Sequence, residues 1–548
     1  MRSPFIILTI VLSLFIMPKK RAQSTPLAET RASVSQPYNI RAYGAAGDGK
    51  SLDTPAINRA IDAAYAAGGG TVYFPAGTYL SATIRLRSNI TLHLDAGATI
   101  VAADTGYDEP EPNKWGDLKY QDFGHSHWRN SLIWGDGLEN ISIVGHGLIS
   151  GEGLNRGWGA TEGSGNKAIA LRLCRNVTLR DFRIYHGGHF ALLATGVDNL
   201  TIDNLRIDTN RDALDIDCCR HVRISNCSLN TPNDDAIVLK TSYALGEVRP
   251  TEHVTITNCS VTGYDLGTLL DGTYQRTLAH SPDRDGPTGR IKFGTESNGP
   301  FRNITISNIV FDRSRGIAIE SVDGSEIEDV AISNITMRDV SNAPLFIRLG
   351  NRARGPKGTP VGHIRRISID NLIASDADGR FPAFIISGIP GYQIENIRLS
   401  NIRVEARGGL TMKQIAEQPE DLVNVFFLRG GAPGVQGKRE PYAVPERDNA
   451  YPEPSMFGLL PATALYARHV KNLQLHNVEV VTTQPDERLA LVLEDINGIT
   501  LRNVALPGPA KAKTPWARMS SVRNLSIRDC PELKDADMDI SKTTELKH

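Results

Sequence analysis

The chain has almost no net charge: 60 Lys and Arg stand against 61 Asp and Glu, leaving −1 at pH 7. No bulk electrostatic pull draws it to nucleic acid or to an anionic membrane, so neither partner is expected. Its six cysteines include no CxxC pair and no Cys/His run with zinc spacing, so no metal site is expected. Long apolar runs are scarce. The most apolar stretch, FIILTIVLSLFIM at 5–17, is too short for a transmembrane helix, and stable membrane insertion is not expected. Helical spacing is nearly absent from the repeats described below, which points away from a helical solenoid.

Residues 1–24 read as an export signal: Arg2, the apolar run, then polar residues. Pro18-Lys19-Lys20-Arg21 after the run is unusual, because basic residues normally precede it. Cleavage near Ala22 is expected, with an uncleaved anchor as the alternative. The protein is accordingly expected to be secreted or periplasmic, with 25–36 as a polar linker. Export permits disulfides. Cys227 and Cys259 hold the same place in a repeat and read first as stacked core residues, with a bridge between them left open.

What the chain does have is a recurring nine-residue phrase, N-[apolar]-x-[apolar]-x-[N/D] followed by a further mostly apolar alternation. It appears as NVTLRDFRI at Asn176, NLTIDNLRI at Asn199, HVRISNCSL at His221, HVTITNCSV at His253 and NITISNIVF at Asn303. It recurs to NLSIRDCPE at Asn524. Apolar alternation over four to six residues is the period of a half-buried strand. A repeat of 20–50 residues marks a solenoid, a propeller or an array. Strand-only repeats with Gly and Asn turns favour a parallel β-helix of about three sheets, its coils stacked at the inter-strand spacing. The sixth position of the phrase is Asn or Asp in every copy, from Asp181 to Asp529. Asn tolerates a left-handed backbone and bonds neighbouring main chain, so this column reads as an amide ladder at a corner.

The spacing widens from His253 to Asn303 and from Asn396 to Asn472. Solenoid insertions project as loops, often on the binding face, so 263–289 and 405–462 are candidate cleft walls. The folded part begins near residue 37. Thr54-Pro55 reads as a helix start with Thr54 as cap. Ala56, Ile57, Ala60, Ile61 and Ala64 make one apolar face, and Gly68-Gly69-Gly70 stops it. This short helix is expected to cap the open N-terminal edge. Strands are expected at 71–74, 89–94 and 140–150. The solenoid is expected to span 37–535 as one all-β catalytic domain, with 536–548 as a frayed tail.

Asp212 and Asp234 are 22 residues apart, as are the phrases at Asn199 and His221. The two carboxylates are therefore expected to stack. The surrounding text, Asn210-Arg211-Asp212-Ala213-Leu214-Asp215 and then Asn233-Asp234-Asp235, resembles the polygalacturonase family (glycoside hydrolase family 28), whose pattern is N-x-D followed one coil later by D-D. AYGAAGDGKSLDTPAINRAI and GHGLISGEG at 145–153 agree with it. The resemblance implies a single-stranded right-handed parallel β-helix, a pectin-lyase-like solenoid. It also implies hydrolysis of pectic glycosidic bonds with inversion and no cofactor, while the large insertions, by blocking the groove's end, favour exo attack or a specialised pectic side-chain or rhamnogalacturonan substrate. Glycoside hydrolysis needs one protonated carboxyl and one ionised carboxylate, and packed acids keep one proton at higher pH. By the resemblance Asp234 is the general acid, while Asp212 and Asp235 orient and deprotonate water. A Ca²⁺-dependent polysaccharide lyase and a non-catalytic glycan-binding solenoid are the alternatives. A monomer acting on a polysaccharide or oligosaccharide is expected.

The chain departs from the family in two places. The coil after D-D lacks a G-H-G, and Tyr264 or Asp265 is expected to take over part of that role. The family's R-I-K has a sequence match in Arg290-Ile291-Lys292. Repeat register instead puts Ala318-Ile319-Glu320 in its place, where an acid would repel a uronate, and leaves Arg290 and Lys292 to reach the cleft from an inserted coil. Lys240, Glu296, Glu320, Arg348 and His189 complete the candidate substrate-binding set; a charge ladder or a structural His explains them equally. The loop YPEPSMFGLLPA, with Trp115, Trp128 and Trp158, is a candidate wall for sugar rings.

Overall fold

The computed structural model describes residues 36–116, 119–155, 162–277, 287–423, 437–508, 510 and 514–546. The expected export signal at 1–24, nearly all of the expected linker and Trp158 lie outside them.

Each coil runs through three strand positions. Asp198–Asp203, Arg206–Asp208 and Asp212–Asp217 make one coil; Arg220–Ser225, Ser228–Asn230 and Ile237–Thr241 make the next. The strands pair in parallel from coil to coil, with Leu200 on Val222, Ile207 on Leu229 and Leu214 on Ile237. Later coils fuse the first two positions into one long strand, such as Pro300–Ser314 or Glu326–Val340.

The phrase reads directly as this geometry. Its apolar positions point inward and stack by type. Ile224, Ile256, Ile306, Ile332, Ile369, Leu399, Leu475, Leu501 and Ile527 form one column through nine coils, all buried. Burying each contributes about 1.5–3 kcal/mol, and truncating one to Ala leaves a cavity costing about 2–5 kcal/mol. The first and sixth positions are the corners. Asn303 and Asn308 have φ of 55° and 56°, and every sixth-position Asn or Asp is left-handed. Their side chains form the expected ladder: Asn334 donates to Asn308 at 3.1 Å, Asn371 to Asn334 at 2.8 Å and Asn503 to Asn477 at 3.0 Å.

The ends are closed differently. The helix Thr54–Ala66 buries the predicted apolar face against the first coil. Its cap position is Asp53, not Thr54, and the Asp53 carboxylate accepts from Ala46 and Gly47 N–H instead of capping. Thr54 Oγ1 is diverted to the Ala82 N–H at 2.8 Å. The strand expected over 140–150 is two, Glu139–Val144 and Leu148–Ser150. The tail expected to be frayed is paired: Ala536–Ile540 and Thr544–Leu546 lie antiparallel on the last coil strand Ala517–Arg528. An exposed last strand is a template for pairing with another chain, and the alternation Ala536, Met538, Ile540 lets the tail cover it. All six cysteines are buried free thiols, so Cys227 and Cys259 stack without a bridge. No helix among the described residues is long and apolar enough to cross a membrane.

Candidate active site

The outer face of the third sheet holds the polar cluster. In Asp212–Asp217, Leu214 and Ile216 point into the core while Asp215 and Asp217 point outward, yet every residue of the strand is buried. Loops from distant parts of the chain cover this face. They leave a cavity of about 300 Å³ lined by Arg211, Asp212, Asp234, Asp235, Lys240 and Lys292. Thr295 and Glu296 join from the next strand, Asp122 and His125 from an early loop, and Arg352, Arg354 and Tyr451 from later loops.

The three aspartates meet: one oxygen of each of Asp212, Asp234 and Asp235 lies within 4.8 Å of the others. The stacking partner differs from the expected one. Leu214 pairs with Ile237, an offset that sets Asp212 opposite Asp235, and the Asp235 N–H donates to Asp212 Oδ1 at 3.1 Å. The turn through Thr231, Pro232 and Asn233 is one residue longer than its predecessor, so the 22-residue period of the corners slips by one here. Asp234 sits at the rim of that turn and pairs with Arg211 at 3.0 Å. Thr288 Oγ1 and the Gly289 N–H hold its carbonyl at 2.5 and 2.9 Å.

Electrostatics divide the acids. Burial, reinforced by Asp234, Asp215 and Asp235, pushes Asp212 well above the usual carboxylate range. Burial acts on Asp235 too, but Arg290 and Lys292 outweigh it and hold Asp235 below its ordinary value. Arg290 Nε is 2.5 Å and Lys292 Nζ 3.3 Å from its oxygens. Arg290-Ile291-Lys292 thus lies on the coil directly after Asp234-Asp235, with Ile237 on Ile291, and Ala318-Ile319-Glu320 lies one coil further. Repeat register is borne out: Ala318-Ile319-Glu320 holds the place two coils after Asp234-Asp235, and Arg290 and Lys292 reach the cleft from the coil that carries the long insertion.

Lys240 lies 3.5 Å from Asp215 and 3.4 Å from Glu296 and contacts His125 Nε2. Burial pushes Asp215 up to about 7, and burial and Lys240 push His125 well below its usual value. Glu296 is aimed by a bulge. Leu239 pairs with Phe293 but Thr241 with Ser297, so the longer strand turns Thr295 and Glu296 toward the cleft.

Glu320 is fully buried, 3.7 Å from Lys292, and burial pushes it up to about 7. His189 lies beneath the cleft, its ring 4.4 Å from Phe190 and 6.4 Å from His125. Arg348 does not line the cleft; it donates to Ser387 Oγ at 2.8 Å and to the Glu446 and Arg447 carbonyls, fastening the late loop. Tyr264 and Asp265 are also elsewhere. The Asn230 corner holds the Tyr264 N–H at 2.7 Å, Tyr264 Oη donates to Asp312, and Asp265 accepts from Thr277. Neither takes a histidine's place beside the aspartates. Trp128 is core, its Nε1 on Thr195, and Trp115 packs on Tyr243.

Sequence reasoning missed Asp122, His125, Asp215, Thr295, Arg352, Arg354 and Glu453. Glu453 accepts from Arg290 and Arg315 at 2.8 and 3.0 Å. Only the lengths of the intervening loops signalled most of them. The late loop was correctly singled out as a wall through Tyr451, whose Oη accepts from Lys292 at 3.0 Å.

The fold and the acid cluster define a parallel β-helix with paired carboxylates of the kind glycoside hydrolysis uses. Residues 38–110 match the family described as rhamnogalacturonase A/epimerase, pectate lyase-like, and residues 149–273 match the right handed beta helix region. The chain is 27% identical over 331 residues to the exo-poly-alpha-D-galacturonosidase of Dickeya chrysanthemi, covering 58% of this chain and 53% of that one. It is 24% identical over 394 residues to a protein of Vitis vinifera named "Probable polygalacturonase", covering 66% and 73%. The chain thus spans about half the length of the first of these relatives. The family 28 exopolygalacturonase of Yersinia enterocolitica shares the fold, with a TM-score of 0.60 at 17% identity over 85% of this chain and 78% of that one. The solenoid is therefore right-handed. Together these likenesses support a divergent member of the polygalacturonase family, glycoside hydrolase family 28.

Proposed function

We propose that this protein is a glycoside hydrolase cleaving O-glycosidic bonds of a pectic polysaccharide (galacturonan, rhamnogalacturonan or its side chains). The observation that carries the reading is three aspartate carboxylates brought within 4.8 Å of one another, with burial and like charge pushing Asp212 up while Arg290 and Lys292 hold Asp235 down. That split supplies a proton donor and a base in one cleft. The glycosidic C–O bond breaks as its oxygen takes a proton from the Asp212–Asp234 pair. Water bonds to the anomeric carbon from the opposite face, and its proton goes to Asp235. Inversion is taken from the family resemblance and not from spacing, since the aspartate oxygens lie within 4.8 Å, closer than the roughly 6.5–9.5 Å usual for inverting pairs. The cavity, about 300 Å³, is at the low end of the roughly 300–1,000 Å³ usual for ligand sites. Its walls come from three separate loops, which favours attack at a chain end. Export to the periplasm or medium, guided by residues 5–17, is part of the proposal.

The lyase alternative would make the aspartates ligands of Ca²⁺. Arg211, Arg290 and Lys292 already supply the counter-charge such an ion would bring, which favours hydrolysis. Incubation with pectin, rhamnogalacturonan and aryl glycosides tests the reading. New reducing ends, with the anomer of the first product read by NMR, are expected. An unsaturated, ultraviolet-absorbing product lost on chelation would replace hydrolysis by elimination, and binding without turnover would leave a glycan-binding solenoid.

A further inference from the structure

We propose that the cleft takes a neutral sugar unit, not a uronate, at the scissile position, because each cation facing it is already held by a carboxylate of the chain. The inference rests on the hydrolase reading and narrows it to a substrate class.

Recognition of a sugar carboxylate needs a cation whose charge is not already spent. Here the cations are committed. Arg211 pairs with Asp234 at 3.0 Å. Lys292 lies 3.3 Å from Asp235 and 3.7 Å from Glu320. Arg290 spans Asp235 at 2.5 Å and Glu453 at 2.8 Å. Behind it Arg315 shares Glu453 at 3.0 Å. On the opposite wall Lys240 is held by Asp215 and Glu296. Arg352 is held by Asp323 and Glu296, and Arg354 by Asp122 and Glu296, both at 3.3 Å. Seven cations therefore face eight carboxylates, and Asp212 makes a ninth. Protonating two of the nine brings the cluster only to neutrality.

A uronate would add a negative charge where no positive charge is in surplus. To claim Lys292 or Arg290 it would have to displace Asp235, Glu320 or Glu453, each nearly or fully inaccessible to solvent. A displaced carboxylate would stay buried without its partner, the costly half of breaking a buried ion pair. A neutral sugar makes no such demand. Its hydroxyls donate to the abundant carboxylate oxygens and accept from arginine N–H groups. Thr295 and Tyr451 supply further polar contacts along the same wall. The acid-rich lining suits a ligand that is mostly hydroxyl.

The test uses the full chain and substrates differing only at C6: aryl galactosides against the matching aryl galacturonides. Other neutral glycosides (rhamnosides, xylosides, arabinosides) and methyl-esterified against free oligogalacturonate complete the panel. At least one neutral glycoside is expected to have a kcat/KM at least about tenfold above every free uronide, and the ester is expected to outrun the acid. Faster turnover of the free uronides would overturn the inference and leave the hydrolase reading standing. No turnover anywhere in the panel would overturn both. Glu453→Gln supplies the charge test, since it frees Arg290 and Arg315 of one carboxylate. The uronide-to-neutral ratio of kcat/KM is expected to rise at least about tenfold. If that variant fails to fold, Asp122→Asn relieves the partly exposed Arg354 of one of its two carboxylates, with the same expected direction. An unchanged ratio in a folded variant would show that these pairs do not set specificity.

Discussion

Asp212→Asn separates what this carboxyl does for the reaction from what it does for the fold. Asp212 is buried, accepts the Asp235 N–H at 3.1 Å and lies within 4.8 Å of Asp234 and Asp235. At an effective dielectric of about 20, two unit charges 4.8 Å apart repel by about 3.5 kcal/mol. Burial and those neighbours raise Asp212 well above its ordinary value. The folded protein therefore keeps a proton that the unfolded chain releases near pH 3.9. The sign follows: this group supports the fold most below the unfolded value and erodes stability as pH climbs toward the folded one, above which the penalty is constant. Asparagine removes that penalty. Its oxygen still receives the Asp235 N–H, and it carries no charge. At pH 7 the variant should melt at or above the parent, with a flatter stability profile above about pH 4. Turnover should fall by about 10²–10⁴, or about 3–5 kcal/mol of transition-state stabilisation. Calorimetry across pH 4–8 and reducing-end release on the preferred glycan read both quantities. Turnover within tenfold of the parent, or a melting point several degrees lower at pH 7, would refute the reasoning.

Asp234→Asn should lose turnover on the same scale while keeping the fold; near-normal hydrolysis would remove Asp234 from the proton-donating pair. Asp235→Asn should behave differently, because Arg290 and Lys292 would be left buried beside a neutral amide. Breaking such a pair costs about 3–5 kcal/mol, so a clear drop in melting temperature is expected together with lost activity, and an unchanged melting curve would contradict the pairing. Burial lowers His469, but Glu446 and Asp495 outweigh it and hold its pKa above the ordinary value. Its contribution to fastening the late loop is therefore complete below about pH 6.5 and lost as pH rises through the raised value. Melting scans from pH 6 to 9 should show this slope in the parent and not in His469→Gln; identical slopes would exclude the latch. Deleting residues 536–548 should bare the last coil and produce concentration-dependent association in light scattering; a monodisperse deletion variant would show that the edge needs no cover.

The repeat phrase made most of the fold legible because one residue type meets the same demand in every coil. Asn at the sixth position answers a left-handed corner, and Ile or Leu at the inner positions fills a column that passes through all coils. The aspartates were legible because the strand after each corner keeps nearly the same phase. The phase slips by one residue at Thr231-Pro232-Asn233, and this moved the stacking partner of Asp212 from Asp234 to Asp235. Counting phrases holds for Arg290-Ile291-Lys292: it sets this motif one coil before Ala318-Ile319-Glu320, and the strand pairing agrees. Tyr264 and Asp265 were misplaced for a different reason. They follow a phrase closely, so the Asn230 corner holds them where the chain leaves the sheet.

What periodicity could not supply is the counter-charge. A solenoid's outer face is ordinarily solvated, and a row such as Asp215, Asp217, Lys240 and Glu320 along it would be an unremarkable charge ladder. It becomes a reactive site only when the face is covered, since desolvation is what drives Asp212, Asp215 and Glu320 upward. The covering segments are the irregular ones, and each brings charge of its own: Asp122 and His125 early, Arg352 and Arg354 midway, Tyr451 and Glu453 late. Glu453 reaches Arg290 across 163 residues of sequence. Such a contact has no signature in the repeat, because it is made once and by a loop. It follows that in this architecture the coils set which acids meet, while the insertions set which of them keep a proton and which sugar charge the cleft tolerates. Exchanging the late loop for a short turn should therefore alter substrate charge preference and the pH profile together, with the solenoid's own melting transition retained. A change in only one of the two would separate functions that the shared Glu453–Arg290–Asp235 chain joins.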